Sequence, residues 1–285
     1  MPPERKIDGK EIGLELATVI GQYFLKSDLL HYGYWNDGLE VDITNMRAAQ
    51  DAYSELLGGH IPGGTKTVLD VGCGTGVIAE WLIGRGYRVD CVSPGPFLTA
   101  RVRARLGARS TVYECRYEDL QTDARYDLIL FSESFQYVPL PAALDQSLRF
   151  LAPGGHIMIC DVFNRDVKGG GFIAGGHPLV KFYDEVGRRP LAQVTDVDIT
   201  EQTAPNLDLA KQLNAQVVAP VWGLLKKTLA TNYPLVNRIV RWRYSRKIRK
   251  LEGKLISGRR NAENFKKYRS YRLFVYRRAD GPPAS

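Results

Sequence analysis

The chain has 285 residues, of which 44% are hydrophobic and 25% charged, so it is long enough for one large domain or for a domain with a cap. No apolar run reaches the about 18 residues that a membrane span needs, and the first residues lack the basic and then apolar pattern of a secretion signal. The four cysteines occur singly, without the CxxC spacing of metal or redox sites, which favours a reduced, cytoplasmic protein.

The net charge of +8 is divided unevenly along the chain. Residues 220–278 contain 18 lysines and arginines against two acids, a net charge of +16. The remainder contains 21 bases and 29 acids, a net charge of −8. An asymmetry of this size requires an explanation in terms of a partner or an exposed basic surface.

The N-terminal part is predicted to be helical and then aromatic. Residues 11–30 have apolar side chains at helical spacing, namely Ile12, Leu16, Val19, Ile20, Tyr23 and Phe24. The polar loop that follows, 31–38, contains Tyr32, Tyr34 and Trp35, although large rings are normally buried. These rings pack against the core or lie beside a ligand, and the pattern leaves both open. A second helix is predicted over residues 44–57.

Residues 67–76, TVLDVGCGTG, have the pattern of a buried strand that runs into a tight turn. Apolar residues precede Asp70, and alternate glycines follow it. Glycine reaches positive φ at little cost and lets a ligand lie against the backbone. The helix after the turn has apolar residues spaced to face a sheet. The dinucleotide pattern GxGxxG fails here, because Val77 stands where its third glycine would fall.

The sequence of residues 67–76 resembles motif I of class I S-adenosylmethionine (SAM)-dependent methyltransferases, whose usual form is VLDxGxGxG. This resemblance implies SAM as the cofactor, held by the turn residues Asp70, Gly72, Cys73, Gly74 and Gly76. The aromatic loop is similar to the YGxW-like segment that precedes motif I in many small-molecule methyltransferases and closes over SAM. That similarity implies Tyr34, and after it Tyr32, near the cofactor.

The next two motifs depart from the family pattern. An acid at the end of the second strand binds both ribose hydroxyls in the family, but Ser93 stands there and Asp90 lies three residues earlier. A hydroxyl supplies no bidentate carboxylate, so Ser93 has a weaker role or another acid replaces it. Residues 110–120 resemble the adenine-side motif, which implies that the backbone of Tyr117 meets the adenine edge.

The fourth strand is predicted at 126–132, and ligands of open α/β sheets bind beyond the carboxyl ends of such strands. Ser132, Glu133, Phe135 and Gln136 are therefore expected beside the methyl group. Glu133 can be a base, a substrate anchor or a carboxylate that fixes loop amides. Some related methyltransferases bind a metal through ExxEH, but Gln136 and Tyr137 replace two of those ligands. We therefore expect no catalytic metal.

The second half of the chain completes an alternating β/α series, with a fifth strand at 156–164 and a sixth beginning at 191. The glycine-rich segment between them is expected to be a mobile loop over a site. His177, before Pro178, is either a general base or a residue that opens a helix. The seventh strand is predicted at 271–278.

The alternation and the resemblance together predict an α/β fold with a mostly parallel, seven-stranded, Rossmann-like sheet and helices on both faces. In the family a short hairpin joins strands six and seven, whereas here a helical cap is inserted before the last strand. The predicted units are an N-terminal helical segment that covers the cofactor (1–60), a SAM-binding core (61–205 and 265–285) and a basic helical cap (206–264).

The basic region leaves four interpretations open. Its leucines, isoleucines and Trp242 alternate with bases, as in helices that lie in a membrane interface. The bases also suit an acidic soluble substrate, RNA, or a solvated face without a partner. Nucleic acid is the least expected partner, because neither an Asn/Asp-Pro-Pro-Tyr signature nor an appended RNA module is present.

The resemblance thus predicts a biosynthetic enzyme that transfers the SAM methyl group to an O, N or C nucleophile of a small, apolar acceptor, such as a lipid, quinone or natural product. Glu133 or His177 would serve as the base if the nucleophile loses a proton. The alternatives are an RNA methyltransferase and a SAM-fold protein that binds without catalysis. The expected location is cytoplasmic, with a peripheral membrane contact through residues 220–278. The acceptor and the oligomeric state stay open.

Overall fold

The structure is a computed structural model that describes residues 15, 18–19, 21–25, 27–170, 173, 175–256 and 258–279. Ile12, Leu16 and Ile20 of the predicted first helix lie outside these residues. Within that stretch, Gly21–Leu25 forms one turn of π-helix.

Among the described residues, eight strands form one sheet in the order β3-β2-β1-β4-β5-β8-β7, with β6 beside β5. The strands are β1 Thr67–Val71, β2 Arg88–Val92, β3 Val112–Tyr113, β4 Tyr126–Ser132, β5 Leu151–Asn164, β6 His177–Pro178, β7 Leu191–Asp198 and β8 Arg269–Arg278. β1 to β6 pair in parallel, whereas β8 is antiparallel to β5 and β7. The predicted mostly parallel α/β sheet is confirmed.

Two details differ from the prediction. His177 lies in the short additional strand β6 and does not open the following helix, which begins at Leu179. β5 begins at Leu151, five residues earlier than predicted, because Leu151 pairs with Tyr126. The ladder is then irregular, with a step of five residues in β5 against two in β4, before regular pairing starts at His156.

The described helices of eight or more residues are α1 Met46–Gly59, α2 Val77–Gly84, α3 Pro96–Leu106, α4 Leu140–Phe150, α5 Leu179–Gly187, α7 Pro205–Leu213, α8 Ala219–Asn232 and α9 Pro234–Ile256. Shorter helices are α6 Thr200–Thr203 and α10 Ala262–Tyr268. Helices cover both faces of the sheet. Two large clusters of buried apolar residues flank the sheet, and in β1 Val68 belongs to one of them and its neighbour Leu69 to the other. This double burial explains why the central strands are continuous apolar runs in the sequence.

The insertion between β7 and β8 is helical, as predicted, and its parts differ in burial. α7 and α10 pack on the core through Leu207 and Phe265, which are 3% and 1% exposed. α8 contains no buried residue, and the described side chains of α9 are mostly exposed. No helix in the described part of the chain has the length and hydropathy required to cross a membrane.

Candidate active site

The ends of two neighbouring strands bring the glycine turn and Glu133 to one edge of the sheet. β1 and β4 are parallel and in register, with Asp70 beside Leu130 and Val71 beside Phe131. The chain therefore leaves both strands at the same edge. The Ser134 hydroxyl, in the loop after β4, donates a hydrogen bond to the carbonyl of Val71. The glycine turn and the loop after β4 thus form one candidate site, at the edge where ligands of such sheets bind.

The three glycines of the turn all have positive φ, but their surroundings differ. A Cβ on Gly72 would lie 2.4 Å from the Cβ of Ser134, and one on Gly76 would lie 3.3 Å from Val102. Packing alone therefore requires glycine at position 72, whereas at Gly76 the side chain of Val102 would have to shift by a few tenths of an ångström. A Cβ on Gly74 would meet only Leu30, at 3.9 Å. Gly74 is thus the glycine whose backbone is open to a ligand.

Asp70 is buried at the end of β1 and lacks a partner on one carboxylate oxygen. Its Oδ2 accepts no hydrogen bond from the described residues. Burial raises the pKa of this carboxyl to about 7. An unpaired buried acceptor costs free energy that a donor on a bound molecule recovers. The ammonium and hydroxyl donors of SAM fit this requirement, so the turn suits the predicted cofactor.

The side chain of Cys73 is buried against the second strand and not in the turn. Its thiol is buried beside that of Cys91, and this contact raises its pKa. Its carbonyl accepts a hydrogen bond from the amide of Gly76 at 2.9 Å. Any contact of Cys73 with a cofactor would therefore involve its backbone.

The aromatic loop is held against the glycine turn by side chains from distant parts of the chain. The Thr75 hydroxyl donates to the carbonyl of Asp28 at 2.7 Å. The amide group of Gln50 donates to the carbonyls of Leu29 and His31, at 3.2 and 2.9 Å. These contacts fix residues 28–31 over the turn.

Asn206 of α7 ties the next residues of the loop to the insertion. Its side chain accepts from the amide of Gly33 at 2.9 Å and donates to the carbonyl of Gly33 at 2.7 Å. The rings of Tyr32 and Tyr34 pack against the core cluster. The packing interpretation of these rings is therefore observed, and their contact with a cofactor stays a prediction.

Glu133 has an unusual backbone conformation and a buried, ionisable side chain. Its φ is +56°, which non-glycine residues rarely adopt and which clusters at functional sites. Oε1 accepts hydrogen bonds from the Tyr271 hydroxyl at 2.6 Å and from the Tyr32 amide at 2.7 Å. Desolvation raises the pKa of Glu133 to about 7, although both hydrogen bonds act to lower it. A carboxyl with this pKa changes protonation state near neutral pH, as a general base requires.

A buried network of hydroxyl groups extends from Glu133. The Tyr271 hydroxyl also lies 3.3 Å from that of Tyr53. The Tyr53 hydroxyl lies 3.2 Å from Ser132 Oγ and 3.3 Å from the carbonyl of Cys160. Ser132, predicted to lie beside the methyl group, thus takes part in this network.

A second buried acid, Asp161 of β5, fixes the loop after β4. It accepts hydrogen bonds from the amide and the side chain of Gln136, at 3.0 and 2.9 Å. Gln136 Oε1 in turn accepts from the amide of Gly176, and it occupies the space that a Cβ on Gly175 would need. Asp161 thus fixes the loop after β4, and Glu133, which accepts from the Tyr32 amide, also has the role of fixing a loop amide that the sequence allowed for it.

His177 contacts the backbone of the same loop. Its Nε2 lies 3.1 Å from the carbonyl of Phe135 and 3.0 Å from that of Val138. Because carbonyls only accept, Nε2 carries the hydrogen and is occupied as a donor. These contacts give His177 a structural role, and its catalytic role stays a prediction.

The ribose and adenine predictions involve residues that are already engaged. Asp90 accepts from the amide of Thr111 and from the Tyr126 hydroxyl, both at 2.9 Å, so each of its carboxylate oxygens already has a partner. Ser93 is buried in the loop after β2, and its amide donates to the carbonyl of Tyr113 at 3.0 Å. The ring of Tyr117 is buried, and its hydroxyl lies 3.0 Å from Ser147.

Tyr53, Asp161, Asn206 and Tyr271 are among the residues of this site that the sequence did not predict. Asp161 carried a signal, because an acid within the apolar run of the fifth strand is unusual. The two tyrosines could not be distinguished from ordinary core residues. In the described part of the chain, no group of three or more His, Cys, Asp or Glu residues is arranged to hold a metal.

Comparison with known proteins identifies the family. The family model described as "Methyltransferase domain" matches residues 43–247, which is more than half of the chain. A ubiquinone biosynthesis O-methyltransferase of Vibrio parahaemolyticus is 34% identical over 127 residues, which cover 42% of this chain and 54% of the relative. The chain therefore spans about half the length of such relatives.

Two solved structures are similar in fold. The [4+2]-cyclase SpnF has a TM-score of 0.64 at 18% identity, covering 95% of this chain and 96% of its own. The geranyl diphosphate C-methyltransferase of Streptomyces coelicolor A3(2), solved with S-adenosyl-L-homocysteine, has a TM-score of 0.63 at 18% identity, covering 93% and 92%. The motif, the sheet and the family match agree, and the chain belongs to the methyltransferase-domain family.

Proposed function

We propose that this protein transfers a methyl group from SAM to an oxygen, nitrogen or carbon nucleophile of a small, apolar acceptor. The observation that carries the proposal is the position of Glu133. It lies at the end of β4, beside the turn that follows β1, and its pKa is raised to about 7. A titratable group placed next to a cofactor turn is what removal of a proton from an acceptor requires.

SAM, when bound, supplies an electrophilic methyl group on a sulfonium. Asp70 would accept a hydrogen bond from it, and the backbone at Gly74 would lie against it. The residues proposed to line the cofactor are Tyr34, Asp70, Gly72, Cys73, Gly74, Gly76, Ser93, Tyr117 and Ser132. The loop fixed by Gln50 and Asn206 would exclude water from the same space.

Glu133 would take the proton of the acceptor. The hydrogen bonds from Tyr32 and Tyr271 both reach Oε1, so we assign proton uptake to Oε2. Tyr271 and Tyr32 would hold the carboxylate in place while the nucleophile is positioned for in-line attack. Positioning supplies much of the rate in such a displacement, and general-base catalysis typically adds about 10²–10⁴-fold.

The nature of the acceptor is supported by the relatives. Their name, ubiquinone biosynthesis O-methyltransferase, describes methylation at oxygen on the route to a quinone. A phenolic oxygen has a pKa near 10 and needs a base at neutral pH. We therefore propose a quinone-, lipid- or natural-product-like acceptor whose nucleophile is a phenolic hydroxyl. The proposal includes a cytoplasmic location and a peripheral membrane contact through residues 220–278, where such an acceptor would be concentrated.

The test has two stages. Calorimetric titration with SAM measures cofactor binding, and formation of S-adenosylhomocysteine with a panel of apolar phenols and catechols then measures turnover. Glu133→Gln should keep SAM affinity and lose most of the turnover. Glu55→Gln, an exposed acid of α1 outside the proposed site, serves as the control and should keep both.

Each result has a definite meaning. Absence of SAM binding would refute the proposal. SAM binding without turnover on any acceptor would favour the alternative of a SAM-fold protein that does not transfer methyl groups. Full turnover in Glu133→Gln would remove the base from the mechanism while leaving the methyl transfer intact.

A further inference from the structure

α8 and α9 form an exposed two-helix hairpin, here called the basic hairpin (residues 219–256). Trp222 and Lys226 of α8 both contact Glu252 of α9, at 3.4 and 2.7 Å, and hold the two helices together. No residue of α8 is buried. The hairpin therefore presents most of its surface to whatever surrounds the protein.

Both helices expose an apolar stripe. In α8 the stripe contains Val221, Leu224 and Leu225, whose side chains are 50% to 65% exposed. In α9 it contains Leu235, Ile239 and Trp242, which are 63% to 80% exposed. Spacings of three and four residues place each set on one helix face. Continuous apolar surface of this kind marks an interaction site in a protein that is otherwise well packed.

The same hairpin is strongly basic. Residues 219–256 contain ten lysines and arginines and one acid, a net charge of +9. The single acid, Glu252, is already neutralised by Lys226. Arg246 and Arg249 continue the line of Leu235, Ile239 and Trp242 along α9, so the exposed face is apolar in its first half and basic in its second.

We propose that the basic hairpin docks on an anionic lipid bilayer, with Leu235, Ile239 and Trp242 inserted at the interface and Arg246 and Arg249 against the headgroups. Basic helices with Trp and Leu on one face lie in the interface plane without spanning the membrane. Tryptophan favours the membrane–water interface because its ring has apolar and polar parts. The inference rests on the proposed function in one respect, namely that the bilayer supplies the apolar acceptor.

Two other occupants fit the surface less well. A second copy of the chain would bring together two surfaces of the same high positive charge, which repel each other. RNA would satisfy the bases and would stack on Trp242, but the exposed leucine, isoleucine and valine side chains beside that ring would gain no partner. A bilayer satisfies the charge and the aliphatic stripe together.

The test uses the full chain and two kinds of vesicle, phosphatidylcholine alone and a one-to-three mixture of phosphatidylglycerol and phosphatidylcholine. Co-sedimentation should show binding to the anionic vesicles that weakens as salt is added. Binding should shift tryptophan fluorescence to the blue, and Trp242→Phe should lose that shift. Equal binding to both vesicle types, or a shift that survives in Trp242→Phe, would overturn the proposed docking.

Matched variants separate the hairpin from the rest of the surface. Arg246→Gln with Arg249→Gln should lower affinity for anionic vesicles about 25-fold, at roughly fivefold for each base. The control, Arg103→Gln with Arg188→Gln, removes two exposed bases outside the hairpin and should leave affinity unchanged. Equal losses of vesicle affinity in the two double variants would mean that net charge alone binds the vesicles, and the proposal would fail.

The remaining outcomes identify the rival occupants and separate this proposal from the proposed function. Binding to single-stranded RNA without binding to anionic vesicles would overturn the proposal in favour of nucleic acid. A dimer in sedimentation that Ile239→Ser with Trp242→Ser dissociates, again without vesicle binding, would overturn it in favour of self-association. SAM affinity should be the same in all hairpin variants, so a failure of vesicle binding and a failure of cofactor binding are independent results.

Discussion

The hydroxyl of Tyr271 is predicted to set the pH at which Glu133 ionises. Tyr271 donates to Glu133 Oε1 at 2.6 Å and is 1% exposed, so water cannot readily replace it. Tyr271→Phe keeps the ring and its packing and removes only the donor. Tyr53, which lies 3.3 Å from the Tyr271 hydroxyl, can still use Ser132 and the carbonyl of Cys160.

The magnitude follows from the difference between the two protonation states. A hydrogen bond to a charged group contributes about 1.5–3 kcal/mol and one to a neutral group about 0.5–1.5 kcal/mol. The Tyr271 hydroxyl therefore favours the carboxylate over the acid by about 1.4 kcal/mol, which corresponds to one pH unit. Because the pKa of Glu133 is already raised to about 7, Tyr271→Phe should move its ionisation about one pH unit further up.

Two measurements check this prediction. Carboxyl-carbon NMR of protein labelled in glutamate, with Glu133→Gln for assignment, gives the titration midpoint without any acceptor. Once an acceptor is known, the acid limb of the pH–rate profile should move by the same amount. Tyr276→Phe is the control, because Tyr276 is also a buried tyrosine of β8 but its hydroxyl lies 3.4 Å from Gln193. This variant should change neither the titration midpoint nor the acid limb of the pH–rate profile.

An unchanged titration midpoint in Tyr271→Phe, with the fold intact, would show that the contact does not stabilise the carboxylate. A similar shift in Tyr276→Phe would show that the effect is general to the strand and is not due to the contact.

Three further predictions concern the glycine turn and the loop above it. Gly74→Ala should lower SAM affinity at least tenfold by calorimetry, while Gly64→Ala, which has the same positive-φ strain in open space, should not. For Asp70 the pKa is raised in the folded state, so the protonated side chain favours folding at low pH and this stability is lost as the pH rises from 3.8 to about 7. Asp70→Asn should therefore gain up to ~4 kcal/mol over the wild type across that range in denaturant titrations, and a constant difference would contradict the assigned burial. Asn206→Ala removes two hydrogen bonds to Gly33 and should cost about 2–3 kcal/mol, with faster amide hydrogen exchange at residues 28–33, and unchanged exchange there would refute this anchoring.

The local features of the chain were predictable because neighbouring residues encode them. The run from Thr67 to Gly76 specifies a buried strand, an acid and a turn within ten residues, and the predicted family and sheet are confirmed. The helical insertion was predictable for the same reason, since its periodicity is local. The roles of the cofactor-lining residues, of Glu133 and of His177 stay predictions.

The glycines show where local reasoning stops. The sequence predicts that Gly72, Gly74 and Gly76 adopt positive φ, and they do. It does not reveal that Gly72 is required by Ser134, which is 62 residues away, or that Gly74 alone is open. A sequence pattern shows that a backbone position is special, but the neighbour that makes it so comes from another strand.

What the sequence determined by itself is therefore the order of the elements, the faces they bury and the family, because periodicity and turn chemistry act between residues close in the chain. What only the tertiary structure decided is which polar groups meet. Tyr271 reaches Glu133 across 138 residues, and Asn206 reaches Gly33 across 173. The apolar pattern reports that tyrosines such as Tyr271 are buried, but strand order and register decide which carboxyl group lies opposite their hydroxyls.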